Sequence, residues 1–489
     1  MIVIRYLPLV CFFVSLQLHS PCRAEQTASA WHAGAAKIDI TPDESMWMAG
    51  YGSRNKPSDG TLTRIWAKTL VLQDQSGKQA MVITLDLVGI DRLLSQTICH
   101  SLEKQYGLKR EQVLICCSHT HSGPVVAGNL RPLHYLQLPT AQQEKIDRYL
   151  KTLKQKISKV TSQAFERLAP SRLRWGSGVA TFAVNRRENR PESAVLARRT
   201  DGKLKGPADH DVPVLAVHNE EGQLKALLFG YACHATALSL NQWSGDYPGF
   251  AQRDLEKNHP GCVALFWAGC GADQNPLPRR TVELAEHYGR RLAAAVESVL
   301  MTSAMRELSG SIQVSYHEVD LPLETLPTRV ELEQNAQSSN KYEAVRAKML
   351  LQQLDAGQPL SQTYPYPVSV WKLGGPHSKN SKGEPATDAV QSVSVNSESE
   401  VTWVALGGEV VVDYALRLKA EMGLKSEMGG INTWVAGYAN DVMAYIPSRR
   451  VLREGGYEGG GAMVYYGLPT IWAPEVENLI VEQVHALSK

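Results

Sequence analysis

The most informative stretch of the sequence is Val113-Leu114-Ile115-Cys116-Cys117-Ser118-His119-Thr120-His121-Ser122-Gly123-Pro124, in which an apolar run ends abruptly at two histidines, hydroxyl side chains and Gly-Pro. The apolar half is short and contains β-branched residues, which favours a buried strand over a helix, and Gly-Pro turns the backbone at once. In a His-x-His pair at a strand end, both imidazoles lie on one face, where they can share a metal ion or a proton. A bare His-x-His pair is more often one surface and one core histidine, so the functional interpretation depends on partners elsewhere in the chain.

Other apolar runs end in the same way. Residues 226–233 lead into His234, residues 262–267 lead into a glycine-bearing polar loop at 269–276, and residues 401–406 end at Gly407-Gly408-Glu409. Ligand sites in open α/β sheets lie outside the carboxyl ends of the strands. The sequence therefore predicts an α/β fold with a mixed central β-sheet flanked by helices, and one site at the carboxyl ends of its strands.

The composition is that of an ordinary globular protein. The 489 residues are 43% hydrophobic and 20% charged, with a formal net charge of +2. This charge supplies no electrostatic argument for nucleic acid or an anionic membrane surface as a partner. The length permits two or three domains, but residues 25–489 are predicted to form a single domain, in which the Pro-, Ser-, Gly- and Lys-rich segment 358–397 is an irregular excursion.

The first 24 residues resemble a secretory signal peptide. Arg5 precedes an apolar run at 7–18, and Ala24 marks a candidate cleavage point. We therefore expect an exported protein, periplasmic or extracellular, without a transmembrane segment. Six cysteines follow the candidate cleavage point, and most lie in apolar strands, so buried free thiols are favoured, although one disulfide stays open.

Two imidazoles and one carboxylate, His119, His234 and Glu409, form a set suited to Zn²⁺ with an open position for water. Such a site lowers the pKa of bound water to about 7 and polarises a carbonyl group. His121, two residues from a candidate ligand, is a candidate general base or acid. None of these residues lies in HExxH or another local zinc motif, so spacing alone is a weak signal.

Three further residues extend the candidate site. The hydroxyls of Tyr445 and Tyr457 could complete the metal coordination or stabilise an oxyanion, and Arg186 could hold a substrate carbonyl. Lone tyrosines are ordinarily core or rim residues, and clustered arginines usually form a solvated face.

The order of the motifs resembles that of the neutral/alkaline (non-lysosomal) ceramidases, zinc-dependent amidases that cleave the N-acyl bond of ceramide. The matching pieces cover nearly the whole chain after residue 24, and they are Asp39-Ile40-Thr41, Met48-Ala49-Gly50-Tyr51, His119-Thr120-His121-Ser122-Gly123-Pro124, Asn185-Arg186, His234-Ala235-Thr236, Ser244-Gly245-Asp246, Gly437-Tyr438-Ala439-Asn440-Asp441 and Tyr457-Glu458-Gly459. The resemblance implies zinc ligands at His119, His234, Glu409 and Tyr445. It also implies catalytic or substrate-contacting roles for His121, Arg186 and Tyr457.

The chain departs from the family pattern at two points. Asn275 stands in Ala272-Asp273-Gln274-Asn275-Pro276, where family members typically have a serine. An asparagine cannot be acylated in the role of a serine nucleophile, whereas attack by zinc-activated water does not need that serine. Family members also carry a C-terminal immunoglobulin-like domain, and the chain is expected to be a shortened homologue without it.

The resulting hypothesis is an exported zinc-dependent amidohydrolase that acts on a ceramide-like or other N-acylated substrate by zinc-activated water. In this hypothesis His121 handles the proton, while Tyr457 and Arg186 stabilise the tetrahedral oxyanion. The expected partner is a small-molecule or lipid-like N-acyl compound, and the oligomeric state is left open. The alternatives are a hydrolase of esters or acylated carbohydrates on the same site, and a secreted binding protein without turnover.

Overall fold

The structure is a computed structural model that describes residues 31–126, 128–302, 305–375, 400–423 and 432–489. Its strands are β1 Trp31–Asp39, β2 Gly60–Thr61, β3 Trp66–Asp74, β4 Gln79–Leu85, β5 Val113–Cys117, β6 Ala169–Val179, β7 Ala183–Asn185, β8 Asp211–Asn219, β9 Leu224–Tyr231, β10 Gln242–Trp243, β11 Val263–Ala268, β12 Gln274–Pro276, β13 Arg306–Glu307, β14 Ser311–Pro322, β15 Thr363–Gly374, β16 Val401–Leu406, β17 Glu409–Val410, β18 Thr433–Ala436 and β19 Tyr445–Ile446. Its α-helices are α1 Arg92–Tyr106, α2 Thr140–Glu166, α3 Val195–Thr200, α4 Asp246–Asn258, α5 Val282–Met301, α6 Arg329–Asn335, α7 Lys341–Asp355, α8 Val412–Gly423, α9 Arg449–Glu454, α10 Met463–Tyr466 and α11 Val476–Leu487.

The main sheet is mixed, as predicted. Its strand order is β11-β9-β8-β6-β1-β3-β4-β5, with β13 beside β6. The pairs β4–β5 and β9–β11 are parallel, and the other pairs are antiparallel. Helix α2 packs on β1 and β3, whereas α4 packs on β11 and α5 on β6 and β8. The predicted α/β class, with helices flanking the sheet, is therefore confirmed.

A second sheet, of order β14-β15-β16-β18, covers the other face of the main sheet. Side chains alternate along the strands, so Leu70 and Leu72 face the second sheet while Val71 faces the helices. Tryptophans fill the space between the sheets, and the rings of Trp267 and Trp403 lie 5.4 Å apart. Helices α8 and α11 pack on the outer face of the second sheet, which gives four layers in the order α, β, β, α.

The expectation of an irregular excursion over 358–397 is wrong for its first part, because Thr363–Gly374 forms the long strand β15. Pro365 and Pro367 suggested irregular chain, since proline cannot donate to a sheet ladder. Both prolines pair with β14, but β16 begins to pair with β15 only at Val368. They therefore lie where β15 is an edge strand, which is where proline is tolerated. Residues 376–397 lie outside the described residues.

The sequence also has helical spacing over 95–106, closed by Gly107, and over 282–301 and 328–355. The first two predictions are confirmed as α1, whose C-cap glycine has φ 71°, and α5. The third region is two helices, α6 and α7. The six cysteines are buried free thiols: Cys99, Cys116, Cys117, Cys233, Cys262 and Cys270.

The expected signal peptide lies outside the described residues. Among the residues that are described, no helix has the length and apolar content needed to cross a bilayer. The division of the chain into domains stays a prediction.

Candidate active site

Three imidazoles meet where strands of the main sheet end. His119 and His121 follow β5, and His234 follows β9. The Nε2 atom of His119 lies 3.1 Å from Nε2 of His121 and 3.2 Å from Nε2 of His234. His119 and His234 are 1% exposed and His121 is 9% exposed. This buried group of histidines could hold a metal ion.

Glu409 supplies a carboxylate to the same point. In the short parallel pair formed by β17 and β19, Glu409 lies opposite Tyr445, so one pairing places both side chains at the site. Oε2 of Glu409 lies 3.2 Å from Nε2 of His119 and 3.2 Å from Nε2 of His234. This oxygen is buried and has no hydrogen-bond partner among the described residues.

The outer nitrogens of two imidazoles contact backbone carbonyls. Nδ1 of His119 lies 2.6 Å from the Val88 carbonyl oxygen, and Nδ1 of His234 lies 2.8 Å from that of Gly271. A carbonyl only accepts, so each Nδ1 carries the proton and each Nε2 keeps its lone pair. Two lone pairs and a carboxylate oxygen then face one another in a buried space without a proton between them. A cation at this point satisfies all three groups, so the residues fit a metal ion.

The ionisation states agree with such a site. Burial, followed by the neighbouring imidazoles, lowers the pKa of His121 well below its usual value. Burial and the Arg186 charge lower the pKa of His234 to about 4. The lowered pKa values keep His121 and His234 neutral near pH 7, and a neutral imidazole is the form that binds a metal ion.

Arg186 connects the site to a second layer of polar groups. It donates from Nε to Glu458 at 2.7 Å, from Nη2 to the Tyr445 hydroxyl at 3.1 Å and from Nη1 to Oδ1 of Asn275 at 3.4 Å. Glu458 is 2% exposed and also accepts from Arg187 at 2.8 Å. Arg186 is thus a fixed donor aimed at the Tyr445 hydroxyl, which itself lies 3.5 Å from Nε2 of His234.

The site opens into a cavity of about 570 Å³. His121, Tyr445 and Tyr457 line it on the side of the histidines. Tyr457 is 43% exposed, and its ring lies 5.2 Å from that of Tyr445 in an edge-to-face arrangement. The structure therefore brings together all seven predicted site residues: His119, His121, Arg186, His234, Glu409, Tyr445 and Tyr457.

Sequence reasoning missed several groups that hold the site. The hydroxyl of Tyr466 donates to Oε1 of Glu409, and the ring of Tyr438 lies 4.3 Å from that of His119 in a tilted arrangement. Tyr438 belongs to the motif at 437–441, but the sequence does not indicate that its ring contacts a histidine. The carbonyl groups of Val88 and Gly271 carry no sequence signal, because every residue has one.

Residues 31–265 match the model of the family described as neutral/alkaline non-lysosomal ceramidase, N-terminal. The chain belongs to the neutral/alkaline non-lysosomal ceramidase family. It is 23% identical to the neutral ceramidase of Pseudomonas aeruginosa over 491 aligned positions, which cover 92% of this chain and 71% of that protein. It is 25% identical to neutral ceramidase 1 of Arabidopsis thaliana, covering 53% of this chain and 33% of that protein.

The fold of this ceramidase-family chain matches solved structures. The crystal structure of neutral ceramidase from Pseudomonas aeruginosa superposes with a TM-score of 0.68 at 19% identity, covering 94% of this chain and 75% of that one. A structure described as ceramidase complexed with C2 superposes with a TM-score of 0.67 at 17% identity, covering 93% of this chain and 74% of that one. At these identities the likeness concerns the ceramidase fold.

Proposed function

We propose that this chain is an exported zinc-dependent hydrolase that cleaves an N-acyl amide bond. The observation that carries the proposal is the triangle formed by Nε2 of His119, Nε2 of His234 and Oε2 of Glu409. Two of its edges are the 3.2 Å separations from the carboxylate oxygen, and the third is the 3.2 Å separation between the imidazoles. Zinc ligands at 2.0–2.1 Å in a tetrahedral shell are about 3.3 Å apart, so the triangle has the size of one face of such a shell.

His121 is assigned to proton transfer, because it touches only one corner of the triangle. Its Nε2 lies 3.1 Å from His119, it lines the cavity, and its Nδ1 has no hydrogen-bond partner among the described residues. The ligating imidazoles, in contrast, have Nδ1 fixed by a carbonyl. The Tyr445 hydroxyl is assigned as a further ligand, since it lies 3.5 Å from Nε2 of His234 and accepts a hydrogen bond from Arg186. Catalytic zinc sites can add a fifth position, which leaves room for water.

Each residue of the site is then assigned one role in the hydrolysis. Zinc, when bound, lowers the pKa of a water molecule and polarises the acyl carbonyl. His121 is neutral near pH 7, because burial lowers its pKa, and it accepts a proton from the attacking water. The same imidazole returns that proton to the leaving amine. Tyr457 and Arg186 stabilise the oxygen that becomes negative in the tetrahedral state.

An N-acyl amide is favoured over an ester or an acylated carbohydrate because the chain belongs to a ceramidase family. Asn275 is the observation that keeps a non-catalytic binding protein as a second candidate. A panel of acyl amides and acyl esters separates the three, since a binding protein would hold zinc and hydrolyse none of them.

The experiment that tests the site is metal content by mass spectrometry on the purified chain, after zinc reconstitution. We expect close to one zinc per wild-type chain and loss of most of it in His119→Ala and in Glu409→Ala, because each removes a ligand. His134→Ala is the matched control, since His134 is also buried but accepts a hydrogen bond from the Gly50 amide outside the triangle. Its zinc content should equal that of wild type.

A wild-type chain without metal, or equal zinc in wild type and both ligand variants, would overturn the assignment of the site. Zinc bound as expected without turnover of any amide or ester would support the binding protein instead. Export is tested separately by determining the N-terminal residue of the secreted chain, which the signal-peptide pattern places after Ala24.

A further inference from the structure

One part of the cavity wall is rich in arginine. It includes Arg190, Arg279 and Arg280, which come from two loops, 186–192 and 277–280. Arg186 lines the cavity from the side of Tyr445. Four arginines and two glutamates therefore face the space in which a substrate would lie.

Both glutamates are already paired. Glu458 pairs with Arg186, and Glu192 accepts from Arg279 at 2.5 and 3.1 Å. Arg190 and Arg280 have no carboxylate within ion-pair distance among the described residues, and both are exposed at the cavity. The wall thus carries two positive charges that no side chain of the described protein neutralises.

The backbone holds Arg280 at this wall. Its φ is 91°, in the left-handed region, which is unfavourable for a residue with a long side chain. Its amide donates to the Ala237 carbonyl at 2.6 Å, and its guanidinium lies 5.5 Å from the centre of the Tyr51 ring. That ring lies 4.8 Å from the ring of His121, so Arg280 is one aromatic side chain away from the proposed base. A strained residue at a cavity wall is a reason to look for a function.

The cavity also lacks the lining that a hydrocarbon chain requires. Among the described residues that line it, none is leucine, isoleucine, valine, methionine or phenylalanine. Burying a methylene group in an apolar site favours binding by about fourfold. A substrate whose affinity comes from long aliphatic chains gains little from walls of arginine, tyrosine, histidine and threonine.

We propose that the substrate is an anionic N-acyl compound whose carboxylate is bound by Arg190 and Arg280. The carboxylate is placed on the amine side of the scissile bond, because Arg280 lies against the ring of Tyr51 and that ring neighbours His121, which is assigned to protonate the leaving amine. This inference rests on the proposed hydrolase and names its substrate class. Guanidinium groups bind carboxylates through paired, charge-assisted hydrogen bonds, which a neutral hydroxyl cannot reproduce. The cavity therefore discriminates between acylated amines by the charge of the amine part.

The test compares two substrates of equal acyl length and closely similar size, N-octanoylglycine and N-octanoylethanolamine. The first carries a carboxylate where the second carries a hydroxymethyl group. We expect the wild-type, zinc-loaded chain to show a kcat/KM at least about tenfold higher for the glycine compound. Arg190→Gln and Arg280→Gln should each reduce this ratio several-fold, mainly through a higher KM. Arg290→Gln is the control and should keep the wild-type ratio, since Arg290 is exposed on α5, where it pairs with Glu286, and it does not line the cavity formed by the described residues.

Equal or better turnover of the ethanolamine compound would overturn the inference and leave the hydrolase standing. A ratio of the two kcat/KM values that stays at the wild-type value in both Arg190→Gln and Arg280→Gln would also overturn the inference. If neither compound is turned over, the hydrolase proposal fails on this panel, and calorimetric titration of the same proteins then decides the inference. Tighter binding of the glycine compound, lost in Arg190→Gln and Arg280→Gln, would support the anion site, and equal affinities would overturn it.

Discussion

Glu409 shows how single residues at the site depend on partners that lie far away in the sequence. One of its oxygens faces the two imidazoles, while the other accepts from the Tyr466 hydroxyl. Groups that hold a ligating carboxylate fix its orientation and tune the metal affinity. The glutamate could be predicted because it follows two glycines at a strand end, but Tyr466 is one of 18 tyrosines and nothing in its neighbourhood distinguishes it.

Replacing Tyr466 with phenylalanine tests this partner. We expect Tyr466→Phe to weaken zinc binding by about 10- to 100-fold, because the Glu409 carboxylate loses its outer hydrogen bond. Competition with a chromophoric zinc chelator measures the affinity. Tyr465→Phe removes the hydroxyl of the neighbouring, similarly half-buried tyrosine and should leave zinc affinity unchanged. Equal affinities in both variants would exclude the proposed role of Tyr466.

Asn275 gives a prediction about mechanism, since it stands where the family pattern has a serine. Its Oδ1 accepts from Arg186 at 3.4 Å, and Arg186 keeps its bonds to Glu458 and Tyr445 without it. We therefore expect Asn275→Ala to lower kcat/KM by less than about tenfold, whereas His121→Ala should lower it by at least about 100-fold. Losses of similar size in the two variants would mean that Asn275 takes a direct part in the reaction.

At the level of elements, the twist of the main sheet makes the site possible. Along the hydrogen-bonded path from β5 to β9 the strands reverse direction five times, so the two strands that carry histidines run in opposite senses within the sheet. A twist of about 20–25° at each step accumulates over this path. The edge strands β5 and β11 even contact each other. The carboxyl ends of β5 and β9 therefore lie close together. The sequence pattern predicted that these ends share one site, but it did not show that sheet twist brings them together.

The loop at 437–441 locks β5 in this position. The Asn440 amide donates to the Ile115 carbonyl at 2.7 Å, and its side-chain Oδ1 accepts from the Ile115 amide at 3.1 Å. Asn440 has φ 66°, a left-handed conformation that asparagine tolerates better than most residues. The motif that contains Asn440 was recognised from the sequence as a family feature. Only the structure shows that this residue binds β5 through two hydrogen bonds.

Two substitutions at Asn440 separate the hydrogen bond from the backbone conformation. Asn440→Ala should destabilise the fold by about 2–4 kcal/mol, because the buried Ile115 amide loses its partner and alanine is strained at this φ. Asn440→Gly loses the same hydrogen bond without the strain and should cost about 1 kcal/mol less. Urea unfolding measures both values. An alanine variant as stable as the glycine variant would show that the left-handed backbone carries no cost here.

For the molecule as a whole, local patterns predicted the main sheet better than the second sheet. Apolar runs that end at polar loops identified β5, β9 and β11 of the main sheet and β16 of the second sheet, because a buried strand has a strong composition signal. The pairing of β14 with β15 was not predicted, since β14 is half-buried and β15 contains two prolines. The convergence of Glu409 on the histidines depends on this second sheet, so the site could be proposed from the sequence but not built from it.

Buried aspartates and buried histidines make the free energy of unfolding depend on pH. Burial raises the pKa of Asp246 and of Asp273 to about 6 and that of Asp441 to about 7. It lowers the pKa of His134 to about 3 and, with the Arg186 charge, that of His234 to about 4. The aspartates lose stabilising free energy as the pH rises through their folded-state values, and the histidines lose it as the pH falls toward theirs. The two sets therefore oppose each other between pH 4 and pH 7.

Asp441 allows one side of this balance to be measured. Its carboxyl is 3% exposed and accepts from the Tyr364 hydroxyl at 2.7 Å, a bond that an asparagine oxygen can also accept. Because the folded-state pKa is about 7 and the ordinary value is 3.8, the folded state binds more protons than the unfolded state in this range. Ionised Asp441 thus destabilises the fold increasingly from pH 4 to pH 7, and Asp441→Asn removes that cost.

The free energy of unfolding of Asp441→Asn, minus that of wild type, should accordingly rise by about 1–3 kcal/mol between pH 5 and pH 8. Urea titrations of both proteins at both pH values measure this double difference, and any pH effect on zinc binding cancels because the metal site is the same in both. Asp201→Asn, which removes an exposed carboxyl paired with the exposed Lys203, should give a difference that does not change with pH. A flat or falling difference for Asp441→Asn would mean that this buried carboxyl is already ionised at pH 5, with Tyr364 and Arg92 stabilising the charge more than burial opposes it.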